Sequence, residues 1–360
     1  VIEQIDGVCL LSVTGFQANA KAFVELAEPC EPCLWNVDWR GFDGAVRCSF
    51  GDVVTLEDGP AGTVTIGIGC GEIVCDGELL KGKPGAEPEI KQGPAADAKP
   101  LRRLLRMAAP FCSTDNSRPN LNGVQLRSVP GRTEATAADG HRLTTSSAAV
   151  GGEPLSVIIP RGSMRLVDGF LRGRKTVGIE AIVREPSPTK VGGPGPRLRF
   201  TDLDSELVVK CIDETCPEWQ KVMPKAEPRV CCVVNVEAAL HAVYAVRFVV
   251  DRHIKPAMSI TLVDGVLVFS SKTMFSTGSG VTATGRCSVR DWTTFGEWRA
   301  TVNASYVQDA LVALRAAGHK EALFESQGDM GERGEKAECG AMKLLSPDRS
   351  AMAMVMPMRA

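Results

Sequence analysis

The sequence predicts an α+β chain of three similar domains, each built from repeated units of one helix followed by strands. A length of 360 residues with 44% hydrophobic and 23% charged content matches two or three globular cores, at roughly 100 to 200 residues per domain. Two turn-rich, proline-containing stretches, 82–99 and 223–229, break the chain and leave segments of about 90, 125 and 130 residues. The second and third segments repeat the same order of helix and strands. The boundaries are set at 1–95, 96–225 and 226–360.

The elements follow in chain order. A helix over 100–112 carries Leu101, Leu104, Leu105 and Ala108 at helical spacing, which calls for burial against a sheet. Strand-like runs follow at 123–129, 133–138 and 143–149. A further strand ends at Ile158-Ile159-Pro160, and a helix is expected over 161–173. Residues 183–196 read as a loop within the domain, because apolar alternation resumes at once in Leu198, Phe200 and Leu203. In the third segment Asn235 is placed to cap a helix running to Val250, and strands are expected at 258–263 and 266–270. Asn303 caps a last helix to about Ala317, with Tyr306, Ala310, Leu311 and Leu314 on its apolar side.

A net charge of −2, from 41 Lys and Arg against 43 Asp and Glu, does not announce a nucleic-acid binder. Any basic surface has to come from local segregation. The helices supply it: Arg102, Arg103 and Arg106 on the first, Arg165 and Arg172 on the second with Arg174 and Lys175 beyond, Arg247 on the third, Arg315 on the fourth. These lie opposite or beside the apolar stripes. If the helices share one surface, they form a phosphate track without base-specific contacts.

An enzyme is the rival class, and its motifs are weak. Cys30-Glu31-Pro32-Cys33 is half a zinc site or a redox pair, but Cys70 and Cys75 stand at irregular spacing for the other two ligands. Gly67-Ile68-Gly69-Cys70-Gly71 lies between β-like runs with no helix after it, unlike a dinucleotide fingerprint. His141 follows Asp139 but no Ser or Cys nucleophile motif accompanies it. No catalytic residue, cofactor or metal is expected. With no apolar run of eighteen residues and no signal-peptide start, the chain reads as cytoplasmic, and its 13 cysteines as mostly buried thiols.

Several motifs occur in the order and approximate spacing of one known family: Leu121-Asn122-Gly123-Val124, Ala138-Asp139-Gly140-His141-Arg142-Leu143, Val157-Ile158-Ile159-Pro160-Arg161, Pro217 through Pro224, Val302-Asn303-Ala304-Ser305-Tyr306 and Val355-Met356-Pro357-Met358-Arg359. In these the chain resembles the bacterial replicative sliding clamp, the β subunit of DNA polymerase III, strongly over 100–360 and weakly before. In the weak part, Asp6 to Gly15 is similar to a family hairpin and Val37 to Arg47 to a family helix.

The resemblance implies the DNA-clamp fold and a head-to-tail homodimeric ring of six domains that encircles duplex DNA. Such a ring is a non-catalytic processivity factor for DNA replication that tethers the replicative polymerase, the clamp loader and other proteins carrying short clamp-binding peptides. Against the family's pattern the first domain is shortened at its start, whether by truncation, disorder or divergence. The partner groove carried over residue by residue is Leu121, Gly140, His141, Arg142, Leu143, Pro217, Val222, Asn303, Tyr306, Met354, Val355, Met356, Pro357, Met358 and Arg359. Flexible methionines would accept apolar side chains of an extended peptide while Arg, His and Asn fix its backbone or polar end. The bland alternative makes the Met-rich tail a buried edge strand and His141 a core histidine. Arg118 joins the DNA track, and Trp39, Phe42 and Val46 face Phe248 and Val249 of the other subunit. Lys221 and Ala138 depart from the family pattern. The shortened first domain keeps a second alternative open, a clamp-like peptide binder that is not loaded on DNA.

Overall fold

A computed structural model describes residues 2–5, 8–14, 18–25, 34–38, 40, 42–43, 46, 54–59, 62–68, 71–79, 91–182, 195–215, 218–224, 227–248, 256–274, 280–294, 298–326 and 340–358. They fall into two compact units: unit 1 takes Val1–Ala95, Thr176–Val183 and Arg197–Lys210, and unit 2 takes Ala96–Lys175, Arg184–Pro196 and Cys211–Ala360. The cysteine motif at 30–33 lies outside the described residues.

Unit 1 begins with β1 (Ile2–Ile5), β2 (Val8–Thr14), β3 (Ala18–Glu25), β4 (Leu34–Val37), β5 (Thr55–Asp58), β6 (Thr63–Ile68) and β7 (Gly71–Leu79). The short β8 (Ala95–Asp97) then leads into unit 2. That unit opens with α1 (Ala98–Ala108), β9 (Gly123–Val129), β10 (Arg132–Ala138), β11 (Arg142–Ala148), β12 (Leu155–Pro160) and α2 (Met164–Leu171). The chain returns to unit 1 for β13 (Thr176–Ile182), β14 (Arg197–Thr201) and β15 (Ser205–Lys210). It ends in unit 2 with β16 (Val230–Asn235), α3 (Val236–Arg247), β17 (Ala257–Val263), β18 (Val266–Met274), β19 (Gly280–Thr294), β20 (Arg299–Asn303), α4 (Ala304–Ala316), β21 (Glu321–Ser326), β22 (Met342–Leu345) and β23 (Ala351–Val355).

The strands of unit 1 run in the order β5-β6-β7-β4-β1-β2-β3-β15-β14-β13. Its core is Ile2, Trp35, Val64 and Ile66, with Phe42, Leu56 and Ile73 packed on them. Unit 2 has one sheet in the order β12-β9-β10-β11-β23-β22-β21-β16-β19-β18-β17-β20. Within it α1 packs on α2 and on α4, and α4 packs on α3, so the four helices form one row. Each fully buried Leu in their contact faces contributes roughly 1.5–3 kcal/mol.

The helices start and stop for local reasons. Asn303 Oδ1 accepts from Ser305 N at 2.9 Å, and Asn235 Oδ1 accepts from Ala238 N at 2.9 Å, so both expected caps form, each worth about 1 kcal/mol. Gly318, at φ +96°, ends α4 in the left-handed conformation a side chain disfavours. Pro110 lacks the N–H that would continue α1, and 109–111 tighten into a 3-10 turn, so the expected helix to residue 112 stops at Ala108. The expected helix from 161 likewise begins as a 3-10 turn over 161–163. Tyr306, expected on the apolar side of α4, is only half-buried, and Ala304, Val307, Ala310, Leu311, Ala313 and Leu314 form the buried face. Gly285 lets α3 lie close on the sheet: an added Cβ would stand 2.0 Å from Ala242 O.

Candidate functional site

The site is built on the β10–β11 hairpin. Asp139 Oδ1 accepts from His141 N at 2.9 Å and from Arg142 N at 3.0 Å, folding Asp139-Gly140-His141-Arg142 into a side-chain-stabilised turn. Gly140 sits at φ +91°, and Arg118 Nη1 would lie 3.1 Å from a Cβ added there. Arg118 therefore stands at the edge of this hairpin.

Arg142 is anchored on every side. Its Nε donates to Asp139 Oδ2 at 2.8 Å, Nη2 to Pro110 O at 2.9 Å, and Nη1 to Asp309. Its guanidinium lies 4.5 Å from the Tyr306 ring centroid and 5.1 Å from that of Phe111. The side chain is 11% exposed. Its fork therefore joins the hairpin to α4 and to the end of α1, leaving little of it for a peptide.

The C-terminal strand forms the facing wall. β23 lies between β11 and β22, pairing Leu143 with Met354 and Arg142 with Val355, so it is an interior strand of the sheet and not an edge. All five of its residues are buried. Strand alternation puts Met352, Met354 and then Met356 on one face, with Ala353 and Val355 on the other. Met352 and Met354 cluster with Leu143, Ala341 and Leu345, and Trp219, Met223, Leu323 and Met356 pack on them. Beyond β23, Met356 N donates to His141 O and Met358 N to Thr301 O, each at 2.8 Å, and Pro357 bridges to Val302.

Between these walls lies an apolar cavity of about 250 Å³. Of the expected groove residues it collects Leu121, Gly140, Arg142, Leu143, Val222, Met354 and Met356. His141, Asn303, Tyr306, Pro357 and Met358 do not line it. His141 and Tyr306 form a ledge beside it with ring centroids 6.3 Å apart, and burial pushes the Tyr306 phenol above its usual range, helped by the Asp139 charge. The exposed side chain of His141 excludes a core histidine. Val355 faces away from the cavity, and Asn303 Oδ1 caps α4. Pro217 and Arg359 lie outside the described residues.

Sequence reasoning missed the residues that close the cavity. Trp219 walls it, with Nε1 donating to Glu134 Oε1 at 3.0 Å, and Asn120, Gln125, Thr136 and Glu218 are also part of the lining. Trp219 sits inside the 217–224 motif, where a large aromatic between two prolines was the available signal. Glu134 carried none, since its partner lies on a distant segment.

The row of helices gathers positive charge. α1 carries four Lys or Arg, α2 with the turn through Lys175 four, and α3 and α4 one each, against Asp168, Glu237 and Asp309. Part of this charge is paired. Asp168 accepts from Arg102 at 2.8 and 3.1 Å and from Arg172 at 3.5 Å, and Arg106 approaches to 3.8 Å. Desolvation raises the Asp168 carboxyl, but the Arg102 hydrogen bonds and the neighbouring charges outweigh it and hold the group below the usual carboxylate range. Arg315 Nη1 donates to Glu237, and half-buried Arg247 turns to Gln308. Arg174 lies over the Phe170 ring at 4.2 Å. Arg103, Arg165 and Lys175 are exposed and have no ion pair among the described residues.

Of the expected interface positions, Phe248 stands 86% exposed just past α3, Val46 is exposed, and Phe42 packs on the core of unit 1. Trp39 and Val249 lie outside the described residues. Cys75, Cys112, Cys211, Cys231, Cys232 and Cys287 are free thiols, and burial pushes Cys112 and Cys232 up to about 12. Among the described residues no cluster of His, Cys, Asp and Glu could hold a metal ion, and no helix is long and apolar enough to cross a membrane.

No protein-family profile and no curated protein matches the chain. Solved structures do, and they define its class: this is the DNA sliding-clamp fold. The particular structures are β subunits of bacterial DNA polymerase III. That of Thermotoga maritima shares 17% identity over 100% of this chain and 90% of its own, at a TM-score of 0.77. The sliding clamp of Bacillus subtilis shares 18% identity over 100% and 90%, also at 0.77. The Pseudomonas aeruginosa subunit shares 18% over 99% and 92%, at 0.74.

Proposed function

We propose that the protein is a sliding clamp, a non-catalytic processivity factor of DNA replication. In this reading two copies close into a ring around duplex DNA, sequence-independently, and the apolar cavity takes a short peptide from a replicative polymerase subunit, a clamp loader or another partner. The observation that carries it is the cavity walled by Leu143, Met354, Met356 and Trp219 on a clamp fold. It suits two or three apolar anchors of an extended peptide, while the exposed His141–Tyr306 ledge continues the surface alongside. The three domains remain 1–95, 96–225 and 226–360, and the setting is cytoplasmic.

A second reading, a peptide binder that is not loaded on DNA, draws on the number of helix arginines already paired: Arg102, Arg106 and Arg172 at Asp168, and Arg315 at Glu237. Light scattering combined with retention on circularised DNA separates the two. A dimer that stays on circles and runs off after linearisation is a clamp; a monomer that is not retained is the second reading.

A further inference from the structure

One wall of the apolar cavity is a short segment with few ties. Residues 218–224 hold a single 3-10 turn over Trp219–Val222, and their backbone hydrogen bonds stay inside the segment. Lys221 N donates to Glu218 O at 3.1 Å and Met223 N to Gln220 O at 3.4 Å. The ion pair of Lys221 with Glu218, at 2.9 Å, is internal as well. Trp219 and Met223 pack on the apolar cluster that holds Leu143 and Met354. Among the described residues one hydrogen bond leaves the segment, from Trp219 Nε1 to Glu134 Oε1 at 3.0 Å.

Glu134 stands on a rigid base. It lies in the middle of β10, which pairs with β9 on one side and β11 on the other. Strand alternation puts it on the same face as Thr136 and Ala138, both of which line the cavity. Its Oε2 accepts from Arg132 Nη2 at 3.3 Å, and the Thr136 hydroxyl stands 3.5 Å from Oε1. The side chain is 20% exposed, so water competes only in part for the bond to the indole. Apolar packing is non-directional and leaves a flat ring free to tilt, whereas an N–H aimed at a carboxylate fixes its direction. With that N–H satisfied by Glu134, the indole gives the cavity an apolar wall and not an unpaired donor.

We infer that Glu134 is a positioning residue for peptide binding: by accepting the indole N–H it sets the orientation of Trp219, and with it the width of the cavity offered to an apolar anchor. Glu134 does not itself line the cavity, so it acts through Trp219. The inference rests on the reading that the cavity takes a peptide. What the position requires is an acceptor and not a charge. An amide oxygen in place of the carboxylate still accepts from the indole; a methyl group does not.

The test uses the full chain, with calorimetry on a Gln-Leu-x-Leu-Phe type peptide and NMR of the tryptophan indole N–H groups. The Trp219 resonance is assigned by its absence from Trp219→Phe. Glu134→Ala should weaken the peptide about tenfold, the order of one lost hydrogen bond to a charged group, and should move the Trp219 resonance. Glu134→Gln should bind within about threefold of wild type and bring the resonance most of the way back, since the acceptor is retained. In the Trp219→Phe background there is no N–H to direct, so adding Glu134→Ala should change the affinity by less than about twofold. Wild-type affinity in Glu134→Ala overturns the inference, and so does an equal loss in both backgrounds, which would mean that the carboxylate acts on the peptide by charge. If the wild type binds no peptide, the peptide reading fails on its own account and the resonance decides the rest. Moved by Glu134→Ala, it keeps Glu134 as the residue that sets the wall; unmoved, it removes Glu134 from that role.

Discussion

Arg142 lines the cavity to which the sequence pointed and is at the same time held by contacts that a single sequence does not show. Position and neighbours marked it as a groove residue, but its contacts with Asp139, Asp309, Pro110 O, Phe111 and Tyr306 are long-range and invisible in a single sequence. Removing one member of a buried ion pair leaves an uncompensated charge, at about 3–5 kcal/mol. Asp309 is partly open to water, so Arg142→Ala is expected near the low end, about 3 kcal/mol, measured as a lower urea midpoint at unchanged slope. A change below about 0.5 kcal/mol would put the residue back among ordinary surface arginines.

Asp168 carries the pH dependence at the same scale. Its folded-state carboxyl titrates below the usual range, so the stability it contributes is present above the unfolded carboxylate pKa and is lost as pH falls through the lower folded value. Asp168→Asn should therefore destabilise the protein at neutral pH, and the difference from wild type should vanish in acid. The same substitution releases Arg102, Arg106 and Arg172. If these face DNA, its affinity should rise and its salt dependence steepen, by about 0.9 in logarithmic slope per added phosphate contact. An unchanged slope would place these arginines off the track.

Among the elements, the helices were the most legible, because apolar spacing and the two Asn caps are local signals. The β9–β12 hairpins and the 139–143 turn were legible too. What stayed hidden is pairing between distant segments, such as β15 on β3 or β23 inserted between β11 and β22, since alternation gives a strand its faces but not its neighbours. The terminal strand was half legible: its methionines line the apolar cavity, while its interior position came only from the sheet. Deleting 356–360 should remove Met356 from the cavity and its bond to His141 O while leaving β23 paired. Calorimetry with a Gln-Leu-x-Leu-Phe type peptide should show micromolar binding, about −8 kcal/mol, for the full chain and none for the truncated one. Trp219→Ala should weaken the same peptide; tight binding by the truncated chain would move the groove elsewhere.

For the whole molecule, the near-neutral composition concealed a row of helices with ten Lys or Arg against three acidic residues, and only the packing of α2, α1, α4 and α3 side by side brings them onto neighbouring elements. The proposed function also requires two copies to close into a ring. Phe248, at 86% exposure, is the most exposed large hydrophobic among the described residues, as an interface anchor should be in an isolated chain. Phe248→Glu should give monomers, because a charge buried in an apolar contact costs several kcal/mol. Light scattering should report the halved mass, and circular DNA should no longer be retained, whereas the peptide, which binds within one unit, should bind as before. A variant that stays dimeric places the subunit contact elsewhere. One that turns monomeric yet remains on circular DNA means that retention does not come from encirclement.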